Sequence, residues 1–217
     1  MKEEYFSKTN IEEVSQAMRD KAFSYSRKRQ IELAPDRCAL LVLDMQYTFL
    51  SQDSKAFIPS SAAIIERIEN LKSVAEKYNI PIIYTRHLND EKDAGMMNTW
   101  WIRMIRREDP LSEIIYQGNI EVIEKSQYDI FYQTELDKRL EKLGRDQLIM
   151  CGVMTNLCCE TSMRSSFVRG YEAVLPVDTT ATYTQELHQA SLLNLALGFS
   201  PPMLSSDLIN QLKNGRT

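Results

Sequence analysis

The chain is short of the residues that several common functions need. It has seven glycines in 217 residues, none of them clustered. Neither G-x-G-x-x-G nor G-x-x-x-x-G-K-[ST] occurs, so a glycine-rich cradle for nucleotide phosphates is not supported. Histidine is rarer still, with only His87 and His188. The four cysteines, Cys38, Cys151, Cys158 and Cys159, contain no C-x-x-C pair, and zinc-finger spacings are absent. They lie in or beside apolar runs, and two of them are neighbours. Structural disulfides are therefore not expected, and a reducing cytoplasm fits. No apolar run is long enough to span a bilayer. The opening MKEEYFSKTN lacks the apolar core of a secretory signal. A net charge of -4 is too mild for a nucleic-acid surface. The expectation is a cytoplasmic protein that contacts neither membrane nor nucleic acid.

What is present reads as one domain with an N-terminal arm. The length allows a single substantial core. Residues 1–34 are polar and charged, with a short amphipathic helix from Ile11 to Arg19 after Asn10 as cap. They read as an arm lying on the body or on a second subunit, without chemistry of their own. The domain proper, 35–217, opens at Pro35-Asp36. Cys38–Leu43 is a continuous apolar run that stops at Asp44, which suits a central parallel strand covered on both faces. Ala62–Tyr78 has helical spacing, with Asn79 as its stop. A second strand, Ile80–Thr85, ends at Arg86-His87, and a third, Ile120–Glu124, is followed by Lys125. A helix from Thr134 to Leu143 is capped by Gly144.

The fourth strand, Leu148–Cys151, is expected to end at Gly152. A helix from Cys158 to Val168 follows, with Thr155 and Asn156 as capping residues. A fifth strand spans Tyr171–Val177, Thr180–Thr184 is a polar connection, and Gln185–Leu197 is a long helix. Pro201–Leu204 is at most a short edge strand, and a last helix covers Leu204–Leu212. Strands alternate with helices, which gives an α/β open sheet, mostly parallel, of five or six strands. The irregular stretch Leu88–Asn119 carries Met96, Met97, Trp100, Trp101 and Ile102. A loop of that length is usually a lid, a binding loop or an interface, with plain core packing as the alternative.

Ligands of open parallel sheets sit outside the carboxyl ends of the strands. Asp44, Arg86, His87, Lys125 and the turn before Cys158 all fall at such ends, although each charge alone is compatible with a solvated loop. Cys158 is expected in the first turn of its helix, where the dipole is positive and a thiol's pKa falls. The plain reading of Cys158 and Cys159 is small core residues. A cysteine nucleophile needs a base or a positive field. Asp44 can take the thiol proton and return it to a leaving amine. Lys125 can hold the aspartate ionised. Backbone N–H groups of the Gly152–Cys158 turn can bind an oxyanion. The set suits attack on an amide or carbamoyl carbon.

At these residues the sequence resembles the isochorismatase-like (cysteine hydrolase) superfamily. The motifs are Ala39-Leu-Leu-Val-Leu-Asp-Met-Gln, Glu124-Lys125 followed by Phe131 and Thr134-Glu-Leu, Gly152-Val-Met-Thr-Asn-Leu-Cys-Cys-Glu-Thr, and Val177-Asp178-Thr-Thr-Ala. The resemblance covers about residues 36–200. It implies a six-stranded parallel sheet with helices on both faces and a catalytic triad of Asp44, Lys125 and Cys158. It also implies a non-proline cis peptide at Val153–Met154, an oxyanion hole from the Met154 and Cys158 amides, and dimers or larger assemblies. Nicotinamidases of the family carry an Asp-x-His metal site after the second strand. This chain has Thr85-Arg86-His87 there and no second histidine nearby, which departs from that branch and its metal. No metal or cofactor is therefore expected. True isochorismatases commonly lack the cysteine at the position of Cys158, so its presence favours C–N hydrolysis. The rivals are an isochorismatase-type enol ether hydrolase using Asp44 without the thiol, and a non-catalytic interaction module. Arg86, His87, Trp100, Trp101 and Phe131 are the candidate substrate-binding residues. Arg103, Arg106 and Arg107 read either as a carboxylate site or as an exposed basic face. Cys159 reads as packing.

Overall fold

The computed structural model describes residues 1–26, 30–101 and 104–214. Its strands are β1 (Cys38–Leu43), β2 (Ile82–His87), β3 (Glu121–Lys125), β4 (Gln147–Val153), β5 (Glu172–Val174) and β6 (Thr180–Ala181). They form one six-stranded sheet in the order β3-β2-β1-β4-β5, with β6 paired to the far end of β4. Every pairing between these strands is parallel. The helices are α1 (Ile11–Phe23), α2 (Tyr47–Leu50), α3 (Ser61–Lys77), α4 (Met97–Trp100), α5 (Leu136–Leu143), α6 (Glu160–Val168), α7 (Gln185–Gly198) and α8 (Ser205–Asn214).

The continuous apolar run of β1 is explained by the two layers it serves. Cys38, Leu40 and Val42 join a core with side chains of α1, α3, α7 and α8. Ala39, Leu41 and Leu43 point the other way, into a core with α5 and α6. Alternate strand residues face opposite sides, so a strand covered on both must be apolar at every position. The N-terminal segment belongs to the first of these cores, with Tyr5, Phe6, Ile11 and Met18 all buried. Asn10 precedes α1 but does not cap it with its side chain. Its Oδ1 accepts from the Ser7 amide at 2.7 Å and its Nδ2 donates to the Tyr5 carbonyl, which shapes the turn before the helix.

Several boundaries differ from expectation. Gly152 does not end β4, which runs on to Val153. Its φ is +114°, and a Cβ there would lie 2.0 Å from the Leu43 carbonyl oxygen. The glycine lets β1 and β4 approach while the chain bends toward the next turn. Gly152→Ala is expected to cost about 3 kcal/mol or more, because the obstacle is backbone. A urea midpoint within error of the wild type would contradict this. The fifth strand is only Glu172–Val174, and the polar stretch after it contains the two-residue β6, which extends the sheet beside β4. Pro201–Leu204 forms no strand. Among the described residues, no helix is long and apolar enough to cross a membrane.

Candidate active site

Four chain segments deliver side chains to the carboxyl edge of the sheet. Asp44 follows β1 directly and is held at φ +50°, a left-handed conformation that aspartate tolerates. Thr85 and His87 stand on one face of β2, and Lys125 is the last residue of β3. Cys158 lies after β4, in a one-turn π-helix, Thr155–Cys159, that leads into α6. The Val153–Met154 peptide at the entry to that turn is cis.

These groups meet around one ammonium. Lys125 has no exposed side-chain surface, and its Nζ lies 2.8 Å from Asp44 Oδ2. The same nitrogen donates to Cys158 Sγ at 3.3 Å and to the Gln127 carbonyl at 3.0 Å, and lies 3.4 Å from His87 Nδ1. An ammonium only donates, so His87 Nδ1 accepts, and its Nε2 proton goes to Asn89 Oδ1 at 2.9 Å. Asn89 in turn donates to the Ser126 carbonyl. Burial, reinforced by Lys125, lowers the His87 pKa to about 4, so the ring is neutral at pH 7.

Charge in this enclosure is set by competition between burial and pairing. Burial pushes the Asp44 carboxyl up, but Lys125 and the neighbouring donors outweigh it and hold it below its ordinary value. Burial works against the Lys125 ammonium too, and Asp44 and Cys158 more than compensate, so its pKa is raised. The thiol goes the other way. Burial pushes Cys158 well above its ordinary value, with Lys125 opposing and Asp44 adding to the rise. One ion pair beside a neutral thiol is the arrangement with least uncompensated charge. This corrects the expectation of a thiolate stabilised by a helix dipole. Cys158 sits in a π-turn, and Thr155 and Asn156 do not cap it. Their side chains bond Thr180 and Thr182 instead.

Thr85 was not singled out from the sequence, because a threonine in a strand is ordinary. Its hydroxyl donates to Asp44 Oδ1 at 2.6 Å and accepts from the Asp44 amide at 3.1 Å. Gln46, fully buried, accepts from the His87 amide and donates to the His87 and Ser112 carbonyls, tying β2 to the long loop. Thr85→Val removes a donor to the ionised carboxylate, which raises that carboxyl's pKa. The acid limb of the pH–rate profile is expected to move to higher pH and turnover to fall about tenfold. An unmoved acid limb would contradict that role.

The remaining candidates divide. Arg86 is not brought to the thiol, since strand alternation turns it to the opposite face from Thr85 and His87. There it pairs with Glu113 at 2.6 Å and Glu124 at 3.0 Å. Trp100 is 75% exposed. Trp101 is half-buried, and its indole N–H donates to the Tyr128 hydroxyl at 2.7 Å. Phe131 is buried in the same core as Cys158, stacked on Tyr171 and covered by Arg169. Arg106 pairs with Glu91 and Arg107 with Glu124, whereas Arg103 lies outside the described residues. Cys159 is buried and accepts from the Thr180 hydroxyl, and all four cysteines are free. A cavity of about 310 Å³ borders Lys125, walled mainly by polar side chains including Asn89, Ser126, Tyr132 and Gln133.

Among the described residues, one set of possible metal ligands converges: Asp44, His87 and Cys158, with donor atoms within 4.8 Å of one another. The Lys125 ammonium already stands among them at 2.8–3.4 Å. It takes the cation's place and repels another, so these residues do not fit a bound metal ion.

Comparison with known proteins agrees with this fold. A family model described as an isochorismatase domain matches residues 38–207. Nicotinamidase 3 of Arabidopsis thaliana is 37% identical over 170 residues, covering 75% of this chain and 82% of that protein. Enterobactin synthase component B of Escherichia coli (strain K12) is 27% identical over 168 residues. That match covers 75% of this chain and 59% of the other. Among solved structures, a cysteine hydrolase from Pseudomonas syringae pv. phaseolicola 1448A superposes with a TM-score of 0.81. It is 27% identical, over 86% of this chain and 97% of that one.

Proposed function

The chain belongs to the isochorismatase family of hydrolases, and on that footing we propose that it is a cysteine amidohydrolase acting without a metal on a small amide or carbamoyl compound. The observation that carries this reading is the fully buried Lys125 ammonium, within 2.8 Å of Asp44 and 3.3 Å of Cys158 Sγ. Likeness to a nicotinamidase supports amide chemistry, although the Asp-x-His pair of that branch has no counterpart here.

The steps follow from the protonation states. Asp44, ionised, takes the Cys158 proton as Sγ attacks the carbonyl carbon. The carbonyl oxygen gathers charge, which the Met154 and Cys158 amides bind. Asp44 returns the proton to nitrogen as the C–N bond breaks, releasing the amine and leaving a thioester. Water then attacks, giving its proton to Asp44. The C–S bond breaks, the thiolate recovers the proton, and the acid leaves. Lys125 keeps Asp44 ionised at the start and offsets charge on sulfur. His87 stands within 4.8 Å of the thiol, and Phe131 shares its core. Arg86, paired on the other face of its strand, has no part.

The rival, enol ether cleavage by Asp44 alone, requires a protonated aspartic acid. The ion pair with Lys125 works against that form. A screen of small amides and carbamoyl compounds for amine or ammonia release, run alongside isochorismate, separates the two. Release blocked by iodoacetamide is expected. Isochorismate turnover that survives iodoacetamide, with no amide cleaved, would overturn the proposal.

A further inference from the structure

The nucleophile turn does not stand by itself. Thr155 Oγ1 lies 3.0 Å from Thr180 Oγ1, and the Thr180 hydroxyl also donates to Cys159 Sγ. Thr182 Oγ1 donates to Asn156 Oδ1 at 2.5 Å. The turn therefore rests on one short segment, Thr180–Thr182, which is itself only a two-residue strand and the residue after it.

That segment is held from outside by the N-terminus. The Thr182 amide donates to the Tyr5 hydroxyl at 2.9 Å. An amide only donates, so the hydroxyl keeps its own proton for His188 Nδ1, also at 2.9 Å. This assigns the His188 proton to Nε2, which is buried and has no partner among the described residues. Burial lowers the His188 pKa to about 3, so the ring is neutral and can accept. The Glu3 amide donates to the Tyr183 carbonyl at 2.9 Å, and the Gln185 amide to Glu3 Oε1 at 2.5 Å. Lys2 Nζ reaches the Lys55 and Phe57 carbonyls, and the Phe6 amide donates to Ser60 Oγ. Residues 2–6 thus lace together the start of α7, the 55–60 loop and the segment under the nucleophile turn.

We propose that residues 2–6 are a strap that positions the Cys158 turn, with Tyr5 as the positioning residue acting through Thr182 and Asn156. The proposal rests on the reading of Cys158 as the nucleophile. The buried, otherwise unpartnered His188 and the apolar burial of Phe6 orient Tyr5 for this contact. The N-terminal segment is two hydrogen bonds, through Thr182, from the turn that carries Cys158.

The test uses the full chain as wild type, Tyr5→Phe, and Ile11→Val, a control that perturbs the same core outside the strap. The first readout is the pH profile of Cys158 alkylation by iodoacetamide, followed by peptide mass spectrometry. It needs no substrate, so it reports on the strap even if the amide reading fails. Tyr5→Phe is expected to move that profile to higher pH as the thiol loses its fixed distance from Lys125, while Ile11→Val leaves it in place. On a turned-over amide, Tyr5→Phe is expected to lower kcat about tenfold with KM within about twofold. Thr182→Val should behave like Tyr5→Phe, with Thr182→Ser restoring the hydroxyl to Asn156 and most of the rate. A Tyr5→Phe profile superimposable on wild type, or equal losses of turnover in Tyr5→Phe and Ile11→Val at matched Tm, would overturn the proposal.

Discussion

Cys158→Ala is expected to reduce amide turnover by on the order of a thousandfold or more, because the proposed covalent intermediate forms on its sulfur. Cys159, the nearest alternative thiol, points into the core and accepts from Thr180, so it cannot substitute. The variant should remain folded. Burial holds the Cys158 thiol neutral, and its removal deletes no charge, although the sulfur's packing and its contact with Lys125 are lost. Steady-state rates together with a thermal melt measure both expectations. Full activity in Cys158→Ala would remove sulfur from the mechanism.

Lys125→Met is expected to have the largest effect on stability, about 3–5 kcal/mol near neutral pH, because it strands the fully buried Asp44 carboxylate. Its dependence on pH should also reverse. In the wild type Lys125 keeps the Asp44 carboxyl below its ordinary value. That contribution is present above about pH 4 and lost as pH falls through the folded-state value. Without the ammonium, burial acts alone and the carboxyl's pKa rises above its unfolded value. The protonated carboxyl is then tolerated below about pH 4, and stability is lost as pH rises. The variant should therefore recover part of its deficit on acidification to a pH at which the wild type still keeps the Asp44 contribution. Urea midpoints at about pH 7 and about pH 4.5 would show it. A deficit that is small, or that deepens in acid, would mean that Asp44 does not depend on Lys125 for its charge.

The ends of strands were the most legible part of the site. Asp44 stands out because a carboxylate terminates an uninterrupted apolar run, and Lys125 because it closes a strand in a parallel α/β pattern. Arg86 was within reach of the same reasoning. Strand parity places Thr85 and His87 on one face and Arg86 on the other, and counting along β2 would have assigned it to the outer ion pairs. Thr85 carries no distinguishing signal, since its partner, Asp44, is 41 positions away in sequence. Gly152 was misread because glycine usually punctuates a strand, whereas here it permits contact with Leu43. The two residues of β6 are too few to show any periodicity, so the segment that supports the nucleophile turn looked like a loop. A helix-dipole argument for the thiol omits burial, which no sequence pattern reports and which pushes the Cys158 thiol up. The stretch 88–119 is poor in pattern because its contacts, such as Trp101 to Tyr128, follow from tertiary placement.

The most direct test of the central claim is mass spectrometry of the enzyme quenched during turnover of an amide or carbamoyl substrate. The account predicts a mass gain equal to the substrate's acyl or carbamoyl group, carried on the Cys158 peptide, labile to hydroxylamine and absent from Cys158→Ala. Steady turnover with no adduct, in an enzyme whose Cys158→Ala variant is equally active, would contradict it.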